Sequence, residues 1–163
     1  QALKVKEITD RYHIPLIIDD RIDIALACDA AGVHVGQSDL PVSYARRLLG
    51  PDKIVGATAK TVPQALEAYE QGADYLGVGA MFPTTTKVVT ILTAPATLTE
   101  IRHTVPIPVV AIGGLNRGNM DILKDTAADG IAVVSAIMKA EDPRSAAEEL
   151  KKHMIELREQ RTL

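Results

Sequence analysis

Short apolar runs rich in valine and isoleucine recur along the chain: PLIID (15–19), GVHV (32–35), KIVGA (53–57), YLGVG (75–79), PVVAIG (108–113) and GIAVV (130–134). Helical patterns separate them. The apolar positions within each run are continuous rather than alternating, which predicts strands covered on both faces and hence a parallel sheet. Helix ends can be read as well. Thr61 with Gln64, and Thr97 with Glu100, fit capping boxes, and Asp142-Pro143 fits an N-cap followed by proline at the first helical position. Gly50 and Gly72 stand where C-terminal stops belong. In the last segment Leu150, Met154 and Leu157 share one helix face, which predicts an amphipathic cover.

Three strand entries resemble one another: DAAGVHV, GADYLGV and AADGIAV each set an acidic and a small residue ahead of the apolar run. Such recurrence fits a repeated strand-helix unit, in either an α/β barrel or a doubly wound sheet. Six units are visible in 163 residues, whereas a closed (β/α)8 barrel has eight and rarely fewer than about 200 residues. Either the sheet is open or two units are lacking. The first residues, QALKVKEITDRYHIPLIIDD, begin inside a helical pattern without an initiator methionine, so the expectation is an N-terminally incomplete single domain over 1–163.

Composition narrows the classes. With 47% apolar and 24% charged residues the chain can bury a core, and a net charge of −3 offers no basic footprint for nucleic acid. Cys28 is the single cysteine, and the apolar runs are far shorter than a bilayer requires, so no membrane partner and a cytoplasmic location are expected. A second copy of the chain is an expected partner if the first and last strands present unpaired edges.

In both architectures ligands bind outside the carboxyl ends of the strands, which gives weight to the residues that follow each run. These are Asp19 and Asp20, then Asp39, Thr58, the cluster Thr84, Thr85, Thr86 and Lys87, then Gly113-Gly114, and finally Val134-Ser135. Carboxylates lie toward the first strands, and hydroxyls, glycine amides and a lysine toward the later ones. That division suits a phosphorylated ligand with a magnesium ion, because magnesium is commonly held by one or two carboxylates plus substrate phosphates. Asp20 and Asp39 could supply the pair. Threonine hydroxyls donate to phosphate oxygens without adding charge, and Lys87 would neutralise the phosphate. Each feature also has a structural reading: Asp19 and Asp20 as caps of a helix near Arg21, Asp39 as a cap near Pro41, the glycines as a tight turn, the threonines and Lys87 as a solvated loop. The histidines, His34 included, have no partner at metal-ligand spacing and are set aside.

The stretches LIIDDRIDIALACDAAGVHVGQSDLP, GADYLGVGAMFPTTTK, IPVVAIGGLN and ADGIAVVSAI, in this order, closely resemble the thiamine-phosphate synthase family, also called thiamine-phosphate pyrophosphorylase. The resemblance covers nearly the whole chain and implies a TIM-type (β/α)8 barrel of which this chain supplies about six of eight units. It implies a transferase that joins hydroxymethylpyrimidine diphosphate to hydroxyethylthiazole phosphate, giving thiamine monophosphate and pyrophosphate with magnesium. Loss of pyrophosphate would leave a cationic pyrimidine methylene for the thiazole nitrogen to capture, with no protein nucleophile. Position by position, it implies Asp20 and Asp39 at the metal, Asp19, Thr58 and Lys87 at the pyrimidine diphosphate, and Thr84, Thr85, Thr86, Gly114, Val134 and Ser135 at the thiazole phosphate.

The chain departs from the family pattern in places. A motif resembling QLRxK on an earlier strand is not present, Asp19 stands where asparagine is usual, and Thr58 replaces serine. After Lys87 the sequence VVTILTAPATL is apolar where a Lys-Asp-rich loop is usual. Two rivals share the fold. One is a thiazole tautomerase-like relative, whose catalytic histidine would fall at Ala80, and the other is a non-catalytic protein that binds a phosphorylated ligand.

Overall fold

The computed structural model describes residues 1–83 and 91–161. Helix α1 (Ala2–Arg11) leads into strand β1 (Ile17–Asp19), followed by α2 (Ile22–Ala27), β2 (Gly32–Val35), α3 (Val42–Leu49), β3 (Ile54–Ala59), α4 (Val62–Glu70) and β4 (Tyr75–Gly79). Then come α5 (Pro95–Thr104), β5 (Val109–Ile112), a 3-10 turn (Met120–Leu123), β6 (Gly130–Ala132), α6 (Ser135–Met138) and α7 (Pro143–Glu159). All six predicted runs form strands. They pair in parallel in the order β1-β2-β3-β4-β5-β6. A doubly wound sheet reverses its order at a switch point. The sequential order therefore selects the wall of a barrel, in which β1 and β6 each pair with one neighbour.

Register sorts the strand residues between two faces, since successive side chains alternate. One set, Val33, Val55, Ala57, Leu76, Val78, Val109 and Ala111, is buried beneath the helices at 0–2% exposure. The other set, including His34, Thr58, Tyr75, Val110 and Ile112, is half-buried. The expectation of two covered faces thus holds for the helix side only. On the second face glycines replace larger residues: a Cβ on Gly56 would lie 2.2 Å from the Tyr75 ring, and one on Gly77 would lie 3.1 Å from His34.

The helices follow their apolar spacing. Val42, Ala45 and Leu49 of α3 are buried, and so are Leu150, Met154 and Leu157 of α7, as a three-to-four residue repeat requires. Asp142 caps α7, accepting from the backbone of Arg144 and Ser145 with Pro143 at the first position. Thr61 caps α4. The Thr97–Glu100 box does not form, because α5 begins two residues earlier, with Ala94 as N-cap and Pro95 at the first position. Proline's fixed φ and missing N–H set that start. Gly50 and Gly72 end their helices in the left-handed region, at φ 79° and 95°.

Two of the three acidic strand entries share a function, while the third, Asp29, pairs with Lys53. Asp74 Oδ2 accepts the Val55 amide at 2.7 Å and the Arg46 guanidinium at 2.5 Å. Asp129 Oδ2 accepts the Val109 amide and Arg102 Nε, both at 2.8 Å. Each carboxylate ties the start of the preceding strand to an arginine on the helix before it, at the end of the sheet away from the strand carboxyl termini. Both members of the Arg102–Asp129 pair are about 30% exposed, so solvent screens them only partly. Asp129→Ala would leave an amide and a guanidinium without their acceptor and is expected to lower stability by about 2–3 kcal/mol. The midpoint of urea unfolding measures it, and an unchanged midpoint would make the clamp incidental.

Candidate active site

Because every strand runs the same way, the residues that follow the strands share one rim. Asp19 is the last residue of β1 and Asp20 the next, both exposed. Asp20 has φ 62°, a left-handed backbone that asparagine and aspartate visit more readily than larger residues. Its amide donates to the His34 carbonyl at 2.8 Å, which fastens the β1 end to β2. Neither carboxylate caps α2, whose N-cap is Arg21 without a side-chain hydrogen bond. Arg21 instead pairs with Asp23 at 2.5 Å, and that hydrogen bond holds the Asp23 carboxyl down at about 2.

After β2 the chain turns back on itself. Asp39 Oδ2 accepts the Gly36 amide at 2.8 Å, closing the loop, and α3 starts without a side-chain cap. Gln37 Nε2 reaches the Thr58 carbonyl at 2.6 Å, so the β2 loop also grips the end of β3. Thr58 is half-buried on the same sheet face as His34 and Tyr75. His34 Nε2 lies 3.0 Å from Thr58 Oγ1 and His34 Nδ1 lies 3.0 Å from the Tyr75 hydroxyl. Burial raises the Tyr75 pKa above that of an ordinary phenol, and the negative charge of Asp19 adds to the shift. Asp19, His34, Thr58 and Tyr75 therefore lie on one sheet face, spanning β1 to β4 beneath the rim.

On the β4–β6 side the approach is made by backbone. Thr84, Thr85, Thr86 and Lys87 lie outside the described residues. The segments flanking them are fixed: Met81 and Phe82 amides donate to Ile112 and Gly113 carbonyls at 3.0 Å, and Thr93 Oγ1 donates to the Gly79 carbonyl at 3.0 Å. Gly114, at φ 66°, admits the Phe82–Pro83 backbone, since a Cβ there would meet Phe82 Cβ and the Pro83 carbonyl at 2.8 Å. Asn119 Nδ2 donates to the Gly114 carbonyl at 3.0 Å. Val134 and Ser135, both exposed, follow β6 beside this turn.

The geometry joins Asp20 with the β2 strand and Thr58 with its loop, and it sets Gly114 and Ser135 behind adjacent strands. Sequence reasoning missed His34, Tyr75, Gln37 and Thr93. No local signal marks the first two: only register, which aligns His34 with Asp19 and Gly56 and Gly56 with Tyr75, brings them together.

The sequence profile of the family described as Thiamine monophosphate synthase matches residues 1–137. Thiamine-phosphate synthase 2 of Streptococcus pneumoniae serotype 4 is 61% identical over 141 residues, covering 86% of this chain and 67% of that protein. Thiamine-phosphate synthase of Clostridium beijerinckii is 53% identical over 156 residues, covering 96% of this chain and 75% of its own length. Among solved structures, thiamine phosphate pyrophosphorylase from Pyrococcus furiosus superposes with a TM-score of 0.84 at 44% identity, covering 96% of this chain and 75% of that one. The profile spans all six described strands that carry the rim, and the chain belongs to the thiamine monophosphate synthase family.

Proposed function

We propose that this chain is a transferase of thiamine biosynthesis that couples hydroxymethylpyrimidine diphosphate with hydroxyethylthiazole phosphate, giving thiamine monophosphate and pyrophosphate. The observation that carries the reading is the alignment of one rim, from Asp19 and Asp20 through Asp39 and Thr58 to Gly114, Val134 and Ser135, with membership of the family. In this reading Asp19, Thr58 and Lys87 meet the pyrimidine diphosphate. Thr84, Thr85, Thr86, Gly114, Val134 and Ser135 meet the thiazole phosphate. The partners are small phosphorylated molecules, and among the described residues no helix is long and apolar enough to cross a membrane.

The donor chemistry on the first side of the rim fits magnesium. Asp20 and Asp39 are carboxylates behind neighbouring strands, and Asp39 commits Oδ2 to the Gly36 amide while its second oxygen, Oδ1, can meet a cation. Magnesium bound there would neutralise charge on the diphosphate as it departs. The protein's own residues do the rest: Thr58 donates a hydrogen bond to the diphosphate, and the two halves of the rim hold the rings for attack. The tautomerase-like alternative would need a proton-transfer group at Ala80, a buried methyl side chain.

The test is product formation from both substrates with magnesium, beside Lys87→Ala. The chain should form thiamine monophosphate, and Lys87→Ala should lower kcat/KM about 100-fold, the loss typical when one charge-stabilising donor is removed. Binding of thiazole phosphate without product would favour the non-catalytic alternative.

A further inference from the structure

His34 is the centre of a relay that spans three strands. Its Nδ1 lies 3.0 Å from the Tyr75 hydroxyl on β4 and its Nε2 lies 3.0 Å from Thr58 Oγ1 on β3. The His34 and Tyr75 rings stand 5.4 Å apart at 39°. The room for both rings is made by glycine: a Cβ on Gly56 would collide with the Tyr75 ring at 2.2 Å and one on Gly77 would press on His34 Cε1 at 3.1 Å. Two positions that any strand-forming residue could have filled are thus given over to an imidazole and a phenol.

A neutral imidazole carries one N–H, and which nitrogen holds it is set by what the other nitrogen meets. A phenol donates better than it accepts, and burial together with Asp19 keeps the Tyr75 proton in place. Tyr75 therefore donates to Nδ1, and Nε2–H donates to Thr58 Oγ1. With its oxygen already accepting, the Thr58 hydroxyl has its own hydrogen left to direct outward. The opposite tautomer would draw that hydrogen toward Nε2 and present only lone pairs to an anionic ligand.

We propose that His34 is a positioning residue that, held in one tautomer by Tyr75, orients the Thr58 hydroxyl as a hydrogen-bond donor to the pyrimidine diphosphate. The proposal rests on the reading that Thr58 meets this substrate. It assigns a role to a residue without metal-ligand spacing and accounts for the two glycines facing the rings.

The test combines ring-nitrogen NMR of histidine-labelled full chain with the dissociation constant for hydroxymethylpyrimidine diphosphate, taken by calorimetry. The His34 signals should show Nε2 protonated and Nδ1 bare, and Tyr75→Phe should mix the tautomers. Thr58→Val and His34→Phe should each weaken diphosphate binding about tenfold, one hydrogen bond to a charged group. The double variant should be no worse than either single one, since both remove the same bond. His34→Gln, whose amide N–H can take the place of Nε2–H, should recover most of the affinity. Hydroxyethylthiazole phosphate binding should not move in any of them. A harmless Thr58→Val would refute the ligand reading and with it the proposal. A harmful Thr58→Val beside a harmless His34→Phe, an additive double variant, or a wild-type Nδ1–H tautomer would each overturn the role of His34 alone. Tyr75→Phe, which deletes one oxygen, keeps the test decisive if His34→Phe does not fold.

Discussion

Asp20→Asn is expected to lower the coupling rate about 100-fold or more, and raised magnesium should recover part of the loss. The expectation joins charge to backbone. Asp20 sits at φ 62°, in the region where asparagine is at least as comfortable as aspartate, so the exchange leaves the turn and the Asp20 amide bond to His34 intact. In the proposed reading it removes one negative charge from a rim that would hold a divalent cation against a diphosphate, and such preorganised charge is worth several kcal/mol at the departing group. Asp20→Ala is a poorer probe, because it adds backbone strain to the loss of charge. Steady-state rates across a magnesium titration distinguish the outcomes. A rate and a magnesium midpoint both equal to wild type would remove Asp20 from the proposed metal site and leave Asp39 as its one candidate carboxylate.

Gly32→Ala should be the most damaging single-methyl change in the sheet's first half, destabilising by about 3 kcal/mol. A Cβ at Gly32 would lie 2.0 Å from the Ile54 carbonyl oxygen, which is backbone and cannot swing aside. Gly32 pairs with Ile54 in the β2–β3 ladder, so relief requires the strands to separate. Gly50→Ala supplies the contrast: its backbone, at φ 79° and ψ −177°, lies where essentially only glycine goes, but a Cβ there meets nothing within 4 Å, and only the backbone penalty of about 1–3 kcal/mol applies. Urea unfolding of both variants reads the difference. A smaller loss for Gly32→Ala than for Gly50→Ala would mean that the ladder yields more easily than its backbone contacts imply.

Much of the fold was legible because burial leaves a local trace. Continuous valine and isoleucine runs marked all six described strands, and the Asp142-Pro143 pair marked the start of α7 to the residue. The order of strands left no such trace, since a barrel wall and a doubly wound sheet bury the same runs and differ only in which run pairs with which. Thr97 misled because a hydroxyl with an acid three residues on imitates a cap, while the stronger constraint sat two residues earlier in Pro95. The acidic entries were visible as a repetition, but their acceptance of Val55 and Val109 amides depends on neighbours about 20 residues away.

The rim was legible for a different reason. Parallel strands must end on one side, so Asp20, Asp39, Thr58 and Gly114 could be collected without knowing any distance. His34 could not, because its partners lie 24 and 41 residues along the chain. Being inside a strand argued for a structural role, and only register brought Tyr75 and Thr58 to the two sides of its ring.

The strictly sequential strand order bears on how the chain reaches this state. Each strand finds its partner in the next apolar run, across a single helix or turn, as from Ala59 to Tyr75. Closing a loop of that size costs far less entropy than joining distant segments, and the cost rises only slowly with length. The sheet can therefore grow outward from any adjacent pair, one strand at a time.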